Sequence, residues 1–311
     1  MNPTEELAAQ LREAYENLGG EELAEAIHSL CSPDVQATAF TGGDDAWSGR
    51  DQLLEGWLKP EFTRHPGYRK ELGRIWVSGR HVAFIHEVRC SPEPDVSADW
   101  LGLDIFRLAE GGDAIAQARF YGDTIARAEL DRVVDAEELW AAIDRCWSPV
   151  TTAANRIGMK QVTELKSIAR PSSAERYGHV SSLIEPDAEL WSWEAEGLIH
   201  LEGSEAIDTE FIAPLLPLLP DFYEAVEETI VFGNALVMIQ NPSGTFTTDD
   251  GRSTFSAWYN CDIYVFREQR ISCLLFGRDT LKDRRQMLAA FDDEVPDVAD
   301  SVHLAPFATD D

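Results

Sequence analysis

Two stretches of this chain repeat one another in order, and that repetition limits the fold more than any local pattern does. Ser29-Leu30-Cys31-Ser32-Pro33-Asp34 is echoed 153 residues later by Ser182-Leu183-Ile184-Glu185-Pro186-Asp187. Gly49 and Gly79 answer Gly203 and Gly233 at an offset of 154. Trp100 to Phe106 answers Trp258 to Tyr264 at 158, and Phe120 to Thr124 answers Phe276 to Thr280 at 156. Offsets that drift by only a few residues fit an old duplication with small loop insertions, and the period is far too long for a solenoid. The 311 residues therefore read as two whole domains of one fold, each long enough to bury its own core. The expected boundaries are 1–133 for the first domain, 134–154 for a linker helix, 155–290 for the second domain and 291–311 for an acidic tail.

Within each repeat the periodicity runs from helix to strand. Leu7, Leu11, Ala14, Tyr15 and Leu18 have amphipathic helical spacing, with Thr4 as the expected N-cap and Gly19-Gly20 as the stop. A second helix is expected over 21–30, a strand over 34–40 and a short helix over 51–58. Strands over 69–77, 82–90, 98–108 and 114–121 follow. In the second repeat, helices are expected over 160–169 and 174–183, and strands over 188–193, 225–232, 235–240, 255–266 and 271–276. Pro214 to Pro220 reads as a lid or packing loop, and 136–147 as a helix docking one repeat on the other. Helices first and then a run of antiparallel strands is an α+β signature. A sheet curled around helices forms a cone whose open mouth suits a small apolar molecule.

Composition narrows the partners. A hydrophobic share of 44% is that of a globular protein, and a formal charge of −30 opposes both nucleic acid and anionic membrane surfaces. The acidity spreads over both repeats and suits a solvated surface or a high-salt habitat. Apolar runs fall short of a membrane span, and Met1 to Glu6 lacks the basic flank of a signal peptide, so a cytoplasmic address is expected. Five cysteines without a CxxC pair read as reduced, buried thiols.

In this order the elements resemble the nuclear transport factor 2-like (cystatin-like) superfamily, and within it the SnoaL-type polyketide cyclases and ketosteroid isomerases. The carrying features are the paired helices broken at Gly19-Gly20, Ser32-Pro33-Asp34, Asp104-Ile105-Phe106-Arg107 and Phe120-Tyr121-Gly122-Asp123. Asp262-Ile263-Tyr264-Val265 and Arg278-Asp279-Thr280 repeat the pattern. The resemblance implies two cone-shaped α+β barrels, each a curved, mostly antiparallel sheet wrapped around N-terminal helices. It also implies a pseudo-dimer within one chain, with a homodimer as the other arrangement. The superfold hosts isomerases, cyclases, dehydratases, hydrolases and non-catalytic binders, so activity must be argued from the site.

Asp104 and Asp262 lead the candidates for chemistry. Alternation sets Trp100, Gly102, Asp104 and Phe106 on one strand face, and Trp258, Asn260, Asp262 and Tyr264 on its counterpart. A carboxyl among aromatic rings loses hydration and can stay protonated, ready to donate to an enolate oxygen, as in ketosteroid isomerases. The general-base position of those enzymes is held here by Ala39 and Ser192, and Tyr15 falls about one position out of register with their oxyanion tyrosine. His86, beside Phe84 and Val88, is a candidate base with a pKa near neutrality. Asp123 and Asp279 are alternatives, since the SnoaL-type resemblance implies an acid/base Asp near this closing strand. Trp191 joins Trp100, Phe106, Phe84, Tyr15, Trp258, Asn260 and Tyr264 as expected substrate contacts. No HExxH pair, P-loop, GxGxxG unit or GxSxG elbow occurs, so neither a metal nor a cofactor is expected. The chemistry left is cofactor-free proton transfer next to a carbonyl of a hydrophobic small molecule, as in a lyase, isomerase or cyclase. The alternative is a non-catalytic tandem binder of a small molecule or a protein.

Overall fold

A computed structural model describes residues 2–40, 44–64, 66–93, 96–122, 136–166, 180–194, 197–214, 221–247, 253–257 and 259–278. The chain divides into two compact units between Ala136 and Glu137. Trp258, Asp123, Asp279, most of the Pro214–Pro220 connection and the 291–311 tail lie outside the described residues.

The first unit opens with α1 (Pro3–Asn17) and α2 (Gly20–Leu30). Asn2, not Thr4, is the N-cap: its side chain accepts from the Glu5 N–H at 2.9 Å while the Glu5 carboxylate accepts from the Asn2 N–H at 3.1 Å. This reciprocal capping box, with Pro3 at the first helical position, starts the helix earlier than Thr4 would. Leu7, Leu11, Ala14 and Tyr15 form its buried face. Six strands follow: β1 (Cys31–Phe40), β2 (Asp44–Ser48), β3 (Arg69–Ser78), β4 (His81–Glu93), β5 (Val96–Leu108) and β6 (Ile115–Gly122). They lie in the order β2-β1-β6-β5-β4-β3, with only β1 and β6 parallel. Between β2 and β3, α3 (Arg50–Leu53) and α4 (Lys59–Thr63) flank a π-helical turn at Leu54–Leu58. The core clamped between helices and sheet includes Leu11, Leu23, Ile27, Phe62, Phe84 and Phe106.

The second unit begins with α5 (Glu137–Cys146) and α6 (Ala153–Lys166), so its amphipathic helix starts earlier than the expected 160. Its strands are β7 (Ile184–Glu194), β8 (Gly197–Glu202), β9 (Tyr223–Phe232), β10 (Ala235–Thr247), β11 (Ser253–Ala257), β12 (Asn260–Arg267) and β13 (Arg270–Arg278). The order β8-β7-β13-β12-β10-β9 reproduces the first sheet, again with one parallel pair, β7 with β13. β11 and β12 pair successive parts of β10, so the single strand expected over 255–266 is two segments. The helix α5, expected to dock one repeat on the other, belongs to the second unit and packs on β12 and β13. Trp147 Nε1 donates to the Phe232 carbonyl at 3.0 Å, and Asn234 Nδ2 donates to the Cys146 carbonyl at 2.9 Å.

The edge hairpins of the two sheets share one register. Leu72 stands opposite His86 and Lys70 opposite Val88; Val226 stands opposite Gln240 and Glu224 opposite Pro242. Each edge strand carries one extra residue at the same place, Gly73 in β3 and Glu227 in β9. A bulge of this kind bends its strand and raises its twist. Gly49 and Gly203 both take positive φ, 101° and 90°, at the same corner. The π-helical turn at Leu54–Leu58 also recurs, at Ile207–Ile212. The chain is thus a tandem duplication of one α+β cone fold. Among the described residues no helix is long and apolar enough to cross a membrane.

Candidate active site

The bulge at Gly73 decides what the first unit holds inside. Ile75 and Leu72 both pack against the core, although they are three apart on one strand. Past the extra residue, alternation resumes with Leu72 and Lys70 inward, and Lys70 is 4% exposed. Its ammonium donates to the carboxylate of Asp104, which is itself 1% exposed. Tyr15 Oη donates to the same carboxylate oxygen. The expected register error at Tyr15 does not prevent this bond. The start of α2 is pinned just ahead of β3, where the Gly20 N–H donates to the Tyr68 carbonyl at 3.0 Å. His86 completes the group, with Nε2 4.0 Å from the Asp104 carboxylate and Nδ1 3.3 Å from the Phe84 carbonyl. That second contact gives Nδ1 the proton and turns the Nε2 lone pair inward. Gly102, opposite His86, leaves space for the ring: a Cβ there would lie 2.5 Å from Nε2.

The electrostatics correct two expectations. Asp104 does not sit in an uncharged aromatic cage; it faces an ammonium, whose own surroundings are the rings of Tyr15, Phe62 and Phe120 at 4.9–5.5 Å. His86 does not titrate near neutrality. Burial lowers its pKa to about 4; the Asp104 charge pulls it back up and Lys70 pushes it further down. Burial, with Asp104 second, raises the Tyr15 pKa well above 10, so the phenol remains a donor.

A neutral, buried imidazole makes stability depend on pH. The unfolded chain takes a proton on His86 below about 6.5, whereas the folded one does so only near 4. Stability is therefore full above pH 6.5 and falls as pH drops from there to 4, by on the order of 3 kcal/mol from this group. His86→Gln should remove that component, because Gln is the residue at the matching position of the second unit and carries no proton in this range. Urea titrations at pH 7 and pH 4.5, resolved by hydrogen exchange on β4 peptides, check it. An unchanged pH dependence in the variant would show that His86 contributes none of it.

Lys70, Asp104 and His86 line a small inner chamber together with Glu61, Trp57 and Trp100. Its volume of about 30 Å³ is room for roughly two waters. Outside it, between the end of α1 and the start of β3, lies a cleft of about 730 Å³. Phe62 and Tyr68, stacked at 4.9 Å, form part of both walls, and Lys70 reaches both spaces. Phe84 and Phe106 lie in the core, with Phe84 stacked on Tyr15 at 4.6 Å. Lys70 and Glu61 were not foreseen: both are charged residues, a type rarely buried unless paired. Glu61 is 3% exposed and sits 3.8 Å from Arg64.

The second unit places different chemistry at the same positions. Asp262, 1% exposed, accepts from Gln240 Nε2 and from Tyr264 Oη, the latter at 3.2 Å. Gln240 and Asn260 replace His86 and Gly102 in register. Where the first unit has Lys70, the second has Glu224, which accepts from Lys166 at the end of α6 at 2.5 Å. Trp191 does not join this face. Alternation sets it opposite Leu190, and it stacks on His200 at 3.8 Å. Among the described residues no three His, Cys, Asp or Glu side chains cluster as a metal site.

Residues 11–118 match the family model described as a SnoaL-like domain. Solved structures to which the chain is similar include a phenazine biosynthesis-related protein from Pseudomonas aeruginosa, 12% identical, covering 51% of this chain and 94% of that one, with a TM-score of 0.38. An NTF2-like protein from Burkholderia thailandensis is 14% identical over 43% of this chain and 99% of its own, at a TM-score of 0.35. A putative SnoaL-like polyketide cyclase from Jannaschia sp. CCS1 is 16% identical over 43% of this chain and 94% of its own, at 0.34. No curated protein matches the chain.

Proposed function

We propose that this chain, whose residues 11–118 match the SnoaL-like domain model and whose second unit repeats the architecture, is a cofactor-independent lyase, isomerase or cyclase. The first unit would move a proton next to a carbonyl of a hydrophobic small molecule. The observation that carries this reading is the buried Tyr15–Asp104–Lys70 group at the junction of chamber and cleft. The ammonium, held by a carboxylate that the phenol also bonds, is a donor fixed before substrate arrives, with N–H groups left for a substrate oxygen. Donors aimed at a developing oxyanion stabilise it most where water is excluded. The apolar body of the substrate occupies the outer cleft, and its carbonyl reaches Lys70. Proton acceptors in the chamber wall are His86 Nε2 and the Glu61 carboxylate. Asp104 orients the ammonium, accepting from it and from the phenol, in place of the neutral-acid role expected for it.

Incubation with a panel of aryl and alicyclic ketones in heavy water tests the proposal. Deuterium should enter α to the carbonyl of at least one ketone, and the Lys70→Met/Asp104→Asn double variant, which removes the ammonium without stranding the carboxylate, should slow that exchange by about 10²-fold or more, the scale of losing one oxyanion donor. Glu61→Gln and His86→Gln distinguish the two acceptors by which of them abolishes exchange. No uptake across the panel would sink the catalytic reading.

A second reading, a non-catalytic tandem binder, is favoured by the size of the chamber. Room for about two waters admits no substrate unless Phe62 and Tyr68 part. Saturable binding of hydrophobic ligands in the cleft with no deuterium uptake would establish it.

A further inference from the structure

The second unit leaves two buried amide oxygens without a donor, at positions equivalent to those beside the ammonium of the first unit. Gln240 and Asn260 stand directly opposite each other on β10 and β12, and they are 0% and 7% exposed. Cross-strand partners of this kind have adjacent side chains on one face. Gln240 donates through Nε2 to Asp262, which fixes the other end of its amide as the oxygen. Neither Gln240 Oε1 nor Asn260 Oδ1 has a hydrogen-bond partner. Leaving such an acceptor buried and unsatisfied is costly, so two neighbours in this state mark a place where a donor belongs.

The first unit shows what kind of donor. At its matching positions, His86 and Gly102 present no amide oxygens, and the Lys70 ammonium donates to the carboxylate. In the second unit the Lys70 position is occupied by Glu224, which holds the Lys166 ammonium at 2.5 Å. The face around Asp262 has gained two acceptors, and a glutamate stands in register where the first unit has Lys70. Aromatic rings border it: Tyr264 meets Phe276 edge-on at 6.0 Å, and Phe276 stacks on Phe211 at 5.5 Å. Ring faces attract cations, and rings also accept an apolar substituent.

We propose that this face of the second unit binds a small organic amine in its ammonium form. Its N–H groups donate to Gln240 Oε1, Asn260 Oδ1 and the Asp262 carboxylate, and its hydrocarbon part lies toward Phe276 and Phe211. An alcohol brings one donor to three acceptors, an anion is repelled, and a bare alkali ion has no hydrocarbon part to lay against the rings. The site is separate from the proton-transfer centre of the first unit.

Isothermal titration of the full chain with benzylammonium chloride at pH 7 tests this, with benzyl alcohol, phenylacetate and sodium chloride as comparisons. Saturable one-site binding of the ammonium is expected, at least tenfold tighter than that of the alcohol, with none for the others. Asn260→Gly and Gln240→His install the residues that the first unit tolerates at these positions, and each should weaken binding at least fivefold. Hydrogen exchange on the unmodified chain should show ligand protection in peptides from β10 and β12, a readout that stands even if a variant fails to fold. No saturable binding, equal binding of alcohol and ammonium, unchanged affinity in both folded variants, or protection confined to the first unit would each overturn the proposal.

Discussion

Lys70→Met is expected to lower the stability of the first unit by about 3–5 kcal/mol, the usual result of removing one partner from a buried ion pair. The reason is not the attraction lost but the charge left behind. Asp104 would keep its bond from Tyr15 yet face no cation, in a chamber with room for about two waters. Methionine fills a similar volume, so a cavity contributes little. Adding Asp104→Asn to Lys70→Met should restore a large part of the loss, because a neutral amide oxygen still accepts from the phenol without needing a counter-charge. Urea unfolding of the single and double variants, followed by hydrogen exchange in β5, measures both steps. If the single variant lost less than about 1 kcal/mol, the value of an exposed pair, the ammonium would have to lie in solvent.

Gly158→Ala should destabilise the second unit, against the sign that helix propensity gives. Replacing a mid-helix glycine by alanine ordinarily gains up to about 1 kcal/mol. Gly158, however, lies where α6 crosses the β12–β13 hairpin. An added Cβ would collide with the Gln269 carbonyl oxygen and lie 2.9 Å from both its carbonyl carbon and Phe266 Cδ1. Backbone cannot step aside as a side chain tip can, so helix and hairpin must separate. Overpacking of this kind costs about 1–3 kcal/mol, occasionally more. A thermal unfolding curve of the second unit that moved upward in the variant would refute the close approach.

The sequence was readable where periodicity was unbroken. Asp104, Gly102 and Trp100 face one chamber, with His86 beside them, because β4 and β5 alternate without interruption there. Lys70 was not readable. Counting by twos from Ile75 places it outward, and only the extra residue at Gly73 resets the count; a glycine within a strand was the one available signal. Glu61 was hidden for another reason. The expected helix ended at 58, whereas the π-helical turn carries the chain on through Thr63, and a widened turn leaves no mark in hydrophobic spacing. Trp191 failed the opposite way, as an aromatic residue counted toward the interior although its neighbours Leu190 and Ser192 take that face.

The kinked edge strand also carries a chronology. Gly73 and Glu227 interrupt the two copies at the same rung, so the simplest history puts that insertion in a single-domain ancestor, before the gene doubled. The four residues that lengthen the hairpin between Gln240 and Asn260, relative to that between His86 and Gly102, came afterwards. So did the change between Lys70 and Glu224, which reversed the polarity of one inherited position while the aspartates two strands away stayed put. On that ordering the ancestor already had its inward-facing polar rung, and descent altered what the rung says.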